Sequence, residues 1–256
     1  MDIKSKLEVT KKALLNTEFS YQPFRHLVSE NVFDDELYEK MFENFPENKY
    51  FDLCKKMTKQ EYEQKAKKSA KFKRLRYPGI LDITNIMEAP DDQKNFWLEI
   101  KDNLCELDFM IKFLKKCGPN YKFKHAQVTH LLNCDKVYLD KSLYHHYYIK
   151  CPCNKFQMGL ELNISESDQN FKVEIHTDSR CRFLTTLFYL APDDKLKSYG
   201  TALYDKKSGN YVLNKKVDFL PKTALTFTRC NDGYHAVHND MTKPVNRKCM
   251  SLYVRA

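Results

Sequence analysis

Apolar residues follow two regimes along the chain. Up to about residue 120 they recur at steps of three and four, the period of a helix with one buried face. Lys4 to Thr17 has the composition of a short leading helix, and Gln22-Pro-Phe-Arg-His-Leu-Val28 reads as a strand entering the domain. Phe33 to Pro46 carries a helix signature: Asp34 as N-cap, Leu37, Met41 and Phe45 in line, and Pro46 as the stop. A longer helix is expected from Asp92 to Cys117. Trp97, Ile100, Leu104, Leu107, Ile111 and Leu114 form its stripe, and Gly118-Pro119 ends it. Such a stripe packs along something flat, and a sheet serves.

From Tyr121 onward the period falls to two. Phe156, Met158, Leu160, Leu162 and Ile164 alternate with Gln157, Gly159, Glu161 and Asn163, a half-buried strand whose polar face is available for other work. Ser165 to Asn170 is a turn, and Phe171 begins a strand that ends in His176. Arg182 to Leu190 is β-branched and aromatic, a strand that packs well. Short strands are expected at Thr201 to Asp205, Tyr211 to Asn214, Ala224 to Arg229, Tyr234 to His238 and Lys248 to Arg255, separated by Gly, Pro, Asn and Asp turns. Helices followed by about eight short strands predict an α+β, mainly β fold, a β-sandwich or jelly roll backed by helices. At 256 residues we expect one domain, with 1–120 as helical support and 121–256 as the β core.

Composition narrows the class. The hydrophobic fraction of 42%, with 16 Tyr and 17 Phe, is ample for a core, which argues against disorder. No apolar run approaches the roughly 18 residues of a membrane helix, and Met1-Asp-Ile-Lys-Ser-Lys6 is no signal peptide, so a soluble, cytoplasmic protein is expected. Nine cysteines at irregular spacing read as reduced thiols. Cys151-Pro-Cys153 after His145-His146 is an unfamiliar zinc spacing. Much of the net charge of +9 lies between Lys55 and Arg76. That run reads first as a solvated face and otherwise as a docking surface for an acidic partner or nucleic acid.

His176-Thr-Asp178 carries the candidate chemistry. In extended chain, residues two apart share a face, so both side chains can grip one metal ion. A third ligand is sought on a later strand, where His235 and His238 stand three apart and so point to opposite faces; one of the two can reach the metal. Two histidines and a carboxylate form the facial triad suited to non-haem iron(II) and oxygen chemistry.

The order of motifs around this pair is more specific. His176-Thr-Asp178 is followed by Arg182-Phe-Leu-Thr185-Thr-Leu-Phe-Tyr189-Leu190, then Gly200-Thr-Ala-Leu-Tyr204 and Pro221-Lys-Thr-Ala-Leu-Thr-Phe227. His235-Ala-Val237 and Arg247-Lys-Cys-Met-Ser251-Leu-Tyr253 complete the series. In this order, Phe156 to Tyr253 resembles the catalytic double-stranded β-helix of iron(II)- and 2-oxoglutarate-dependent dioxygenases, in particular their prolyl hydroxylase-like branch. The chain departs from that pattern in a long interval between His235 and Arg247, and in Tyr199-Gly200 where paired glycines are common.

The resemblance implies His176, Asp178 and His235 as iron ligands. It implies Arg247 on the distal carboxylate of 2-oxoglutarate, helped by the Tyr189 hydroxyl, with Thr185 and Ser251 lining the same pocket. Arg180, Gln157 and Glu161 are candidates to face the substrate. The implied cofactors are iron(II), 2-oxoglutarate as co-substrate and O2, with ascorbate as a supporting reductant. The implied reaction is hydroxylation of an unactivated C–H in a small metabolite or in an amino-acid or prolyl side chain, releasing succinate and CO2. The competing readings are a cupin-like metal-binding or interaction module without catalysis, and an oxygenase directed at nucleic acid.

Overall fold

The computed structural model describes residues 2–47, 78–82, 89–118, 131–134, 136–141, 147–152, 154–167, 175–179, 181–237 and 245–255. The basic run from Lys55 to Arg76 lies outside them, as do Arg180, His238 and the interval from Asn239 to Pro244.

The helices come first. α1 (Ile3–Asn16) is capped by Asp2, whose carboxylate accepts the Ser5 N–H, and it buries Ile3, Leu7, Thr10, Lys11 and Leu14. α2 (Asp35–Glu43) is capped by Asp34 as expected, through the Leu37 N–H, and ends at Asn44, before Pro46 is reached. The expected strand at Gln22 is shorter: β1 is His26–Ser29, since Pro23 has no N–H for a ladder.

The single helix expected from Asp92 to Cys117 is two helices, α3 (Asp91–Leu104) and α4 (Leu107–Cys117), broken at Cys105-Glu106. A continuous helix would bury Leu107, Ile111 and Leu114 beneath Trp97, Ile100 and Leu104. The break turns the second helix so that Phe109, Met110, Phe113, Leu114 and Cys117 are buried, leaving Leu107 and Ile111 partly exposed. Two phenylalanines and a methionine bury more apolar area than the residues they displace. Glu106, at the break, pairs with the buried Lys11 ammonium of α1 at 2.5 Å.

The strands form two antiparallel sheets. The large one has the order β1, β9 (Ala224–Thr228), β6 (Arg182–Leu190), β11 (Val245–Arg255), β5 (Asn154–Ser167), β4 (Tyr147–Cys151), β3 (Tyr138–Lys141), and β2 (Pro78–Asp82) also pairs with β5. The small one has the order β10 (Tyr234–Val237), β7 (Thr201–Lys207), β8 (Asn210–Val217). An antiparallel bridge from His176 to His235 adds an edge beyond β10. The chain therefore alternates between sheets: β5 large, His176 small, β6 large, β7 and β8 small, β9 large, β10 small, β11 large. This winding is a jelly roll, the double-stranded β-helix expected from the motif order. The expected turn at Ser165 starts later, because β5 runs on to Ser167, and residues 168–174, the rest of that turn and most of the strand expected before His176, lie outside the described residues.

Alternation along the large sheet sorts two cores. Leu184, Phe188, Leu190, Met250, Leu252, Val254, Leu160 and Leu162 share one cluster with Leu7, Leu37, Trp97, Phe113 and other helix residues. Tyr189, Cys249, Leu225 and Phe227, one step out of phase, belong to a second cluster with Leu203, Val217 and Phe219 of the small-sheet side. The polar face of β5 is thus not open, as its alternation suggested. Glu161 is buried, because that face looks into the space between the sheets. Among the described residues no helix is long and apolar enough to cross a membrane.

Candidate metal centre

His176 and His235 are reciprocal backbone partners. The His176 N–H donates to the His235 carbonyl at 3.0 Å and the His235 N–H to the His176 carbonyl at 2.9 Å. Directly opposed residues of antiparallel chain project to the same side, and the two imidazole centroids stand 4.5 Å apart. Asp178, two residues along, completes the set: one ligand atom from each of the three lies within 4.8 Å of the others. His235 Nε2 stands 3.8 Å from Asp178 Oδ1. Adjacent ligands about 2.1 Å from an octahedral ion stand about 3 Å apart, so small inward rotations close the set around a metal.

The surrounding groups leave the right atoms free. His235 Nδ1 lies 3.0 Å from the Gly233 carbonyl, which accepts a proton from that nitrogen and leaves Nε2 as a lone-pair donor facing Asp178. Thr185 of β6 donates its hydroxyl to Asp178 Oδ2 at 2.5 Å, leaving Oδ1 toward His235. Arg229 Nε donates to the Asp178 carbonyl at 3.1 Å. Burial opposes ionisation of Asp178, but His235, Arg182, the Thr185 hydroxyl and His176 outweigh it and hold its pKa below the usual value. A carboxylate oxygen and two imidazole nitrogens brought this close together are a donor set that suits a divalent ion.

Along β11 the side chains of Arg247, Cys249, Ser251 and Tyr253 alternate onto the face between the sheets. Arg247 is 6% exposed, and its Nε donates to the Tyr199 carbonyl at 2.9 Å. Its guanidinium carbon lies 5.1 Å from the Phe219 ring centroid and 5.4 Å from that of Tyr189. Nη2 is buried without a hydrogen-bond partner, and among the described residues no carboxylate pairs with the charge. A buried cation with an unused donor, beside two aromatic rings whose own centroids are 5.1 Å apart, fits an incoming carboxylate.

The other expected site residues are arranged differently from a simple ring of ligands. Tyr189 is fully buried, burial raises its pKa, and its hydroxyl proton goes to Thr201 Oγ1 at 2.7 Å; its ring, not its hydroxyl, meets Arg247. Thr185 donates its hydroxyl to Asp178. Ser251 accepts from Asn163 Nδ2 at 3.1 Å. Glu161 binds Arg182 and Arg255, and Gln157 faces Arg255 across the β5–β11 ladder. Arg180, Cys153, His145 and His146 lie outside the described residues. Thr201, Gly233 and Arg229 escaped the sequence reading, because each acts through a contact between strands or across a turn that no local spacing marks.

No family model matches the sequence, and no curated protein matches it. Solved structures do. A prolyl 4-hydroxylase from Phytophthora capsici superposes with a TM-score of 0.50 at 13% identity, covering 100% of this chain and 66% of that one, just under two thirds of its length. A prolyl hydroxylase from Trichoplax adhaerens, solved with a peptide of hypoxia inducible factor, gives 0.48 at 11% identity over 98% and 91%. A Pseudomonas putida prolyl-4-hydroxylase gives 0.45 at 9% identity over 98% and 99%. At these identities the likeness is one of fold, and the Phytophthora capsici structure gives that fold: the chain shares the architecture of a prolyl 4-hydroxylase.

Proposed function

We propose that the protein is an iron(II)- and 2-oxoglutarate-dependent oxygenase that hydroxylates an unactivated C–H of its substrate. The observation that carries this is the presence of two features on the strands facing the space between the sheets: the set of His176, Asp178 and His235, of which His235 is buried and the other two are half-buried, and the buried Arg247 guanidinium with an unused donor. The first fits a divalent metal, the second a carboxylate. Iron(II) held there, with 2-oxoglutarate and O2, supplies the oxidising power to hydroxylate carbon while the keto acid becomes succinate and CO2.

The chain's own residues perform the binding and ordering. Arg247 takes the distal carboxylate of the co-substrate, with Tyr189 and Phe219 keeping water from the ion pair. Gly233 fixes the tautomer of His235. Thr185 fixes the rotamer of Asp178, and Arg229 the backbone beneath it. Ser251, which accepts from Asn163, lies along β11 between Arg247 and Tyr253, the ladder partner of Thr185. A small molecule or a polypeptide is the substrate class, and the fold shared with prolyl 4-hydroxylases favours an amino-acid or prolyl carbon.

Anaerobic titration of the chain with iron(II) and then 2-oxoglutarate tests the reading. The expected result is the visible charge-transfer absorption of a chelated keto acid, absent in His176→Ala. Iron binding without that absorption overturns the Arg247 assignment, and absence of iron binding overturns the oxygenase.

A further inference from the structure

Three charged side chains between the sheets hold neither the metal nor the co-substrate, although the charge of Arg182 also reaches Asp178. Glu161 of β5 accepts from Arg182 Nη2 of β6 at 3.0 Å through one oxygen, and from Arg255 Nη2 of β11 at 2.6 Å through the other. Both guanidinium carbons lie over the Tyr253 ring, at 5.1 Å for Arg182 and 4.1 Å for Arg255. The Glu161 side chain is only 6% exposed, whereas those of Arg182 and Arg255 are 19% and 35% exposed. The cluster therefore has a closed floor and an open rim.

Its place relative to the metal ligands is set by register. Tyr253 is the ladder partner of Thr185, the residue that holds Asp178. Arg247 and Arg255 lie eight residues apart on β11, roughly 26 Å of strand, with that pair nearer the Arg255 end. A co-substrate anchored by Arg247 reaches the metal from one side, which leaves the side lined by Arg182, Arg255 and Tyr253 for the molecule being oxidised. This side also reaches solvent.

Within the cluster's own hydrogen bonds the charges do not balance. Two guanidiniums share one carboxylate, both Glu161 oxygens are taken, and Arg182 Nε is buried without a partner. Resting on the oxygenase reading, we propose that Arg182 and Arg255 form a subsite for a carboxylate of the primary substrate, so that the enzyme acts on an acid and not on a neutral residue. One further carboxylate brings the cluster to two cations and two anions. Tyr253 presents a flat wall that the guanidiniums already cover, which steers the ligand to their edges, where the planar fork suits a carboxylate.

The carboxylate has two sources, a free acid or an acidic side chain in a polypeptide. Calorimetric titration of the chain, loaded anaerobically with manganese(II) and saturating 2-oxoglutarate, separates them. One arm compares L-proline with L-prolinamide. The other compares blocked pentapeptides that carry Asp-Pro or Asn-Pro at the centre. The expected result is at least tenfold tighter binding of the acid in one arm, reduced to within twofold by Arg255→Gln and largely kept by Arg255→Lys. No preference for acid in either arm, or a preference that survives Arg255→Gln, overturns the subsite. If manganese(II) does not bind, the oxygenase reading fails instead; if the metal binds and 2-oxoglutarate does not, the Arg247 assignment fails; in either case the same acid-to-amide ratios measured without them decide the subsite.

Discussion

The Thr185 hydroxyl donates to Oδ2 of Asp178 at 2.5 Å, a contact that ties a central strand of the large sheet to the chain carrying the metal-ligand set. It fixes which carboxylate oxygen faces His235. Removing such an outer partner typically weakens metal binding about 10- to 100-fold. Thr185→Val, which keeps the shape and loses the hydroxyl, should weaken iron(II) affinity by about that factor, and Thr185→Ser should restore most of it. Competition against a chelating dye measures both.

Arg247 offers a test in which stability and binding move in opposite directions. Truncating one side of a buried charge pair costs about 2–5 kcal/mol, so Arg247→Gln should raise the 2-oxoglutarate dissociation constant by at least about 30-fold. Without co-substrate the same charge is buried and unpaired. Arg247→Met, which keeps the packing on Phe219 and Tyr189, should then melt no lower than the parent chain. Thermal denaturation with and without 2-oxoglutarate reads both effects.

His26 is fully buried, with Nδ1 2.8 Å from the Phe24 carbonyl and Nε2 without a hydrogen-bond partner. Burial lowers its pKa; the Phe24 carbonyl opposes this and Lys215 adds to it. The folded chain therefore refuses a proton that the unfolded chain accepts below about pH 6.5. This contribution to stability is intact above that pH and is lost as the pH falls, with a slope of at most about 1.4 kcal/mol per pH unit. Urea denaturation from pH 7.5 to 5.0 should show a shallower decline for His26→Gln than for the parent.

Gly200 meets backbone, not a movable side chain. A Cβ there would stand 1.8 Å from the Val217 carbonyl oxygen, where the start of β7 presses on the end of β8. Gly200→Ala should destabilise the chain by about 3 kcal/mol or more and displace Tyr199, whose carbonyl holds Arg247. At Gly159 the clash is with the Tyr253 side chain, so Gly159→Ala should cost less. Denaturant midpoints rank the two.

Much of this architecture is written locally. The period of two from Phe156 to Ile164 gave its strand, Asp34 its helix cap, and the spacing of His176 and Asp178 their shared face. These are properties of neighbours in the chain, set by backbone geometry alone. The division of α3 from α4 was not legible, because apolar residues occupy both phases across Cys105 and only burial against the rest of the core selects one. Glu161 read as one position on a polar face. That face is enclosed by a second sheet, and its carboxylate is claimed by arginines 21 and 94 residues away.

The sequence by itself determined the helical and strand halves of the chain, the mainly β class and the residue types able to hold a metal, since each follows from side-chain periodicity and donor chemistry. The tertiary structure decided which of them meet. The reciprocal pairing of His176 with His235, the hold of Thr185 on Asp178 and the unanswered charge of Arg247 all arise where strands distant in sequence are brought into register, and pairing of that kind has no local signature.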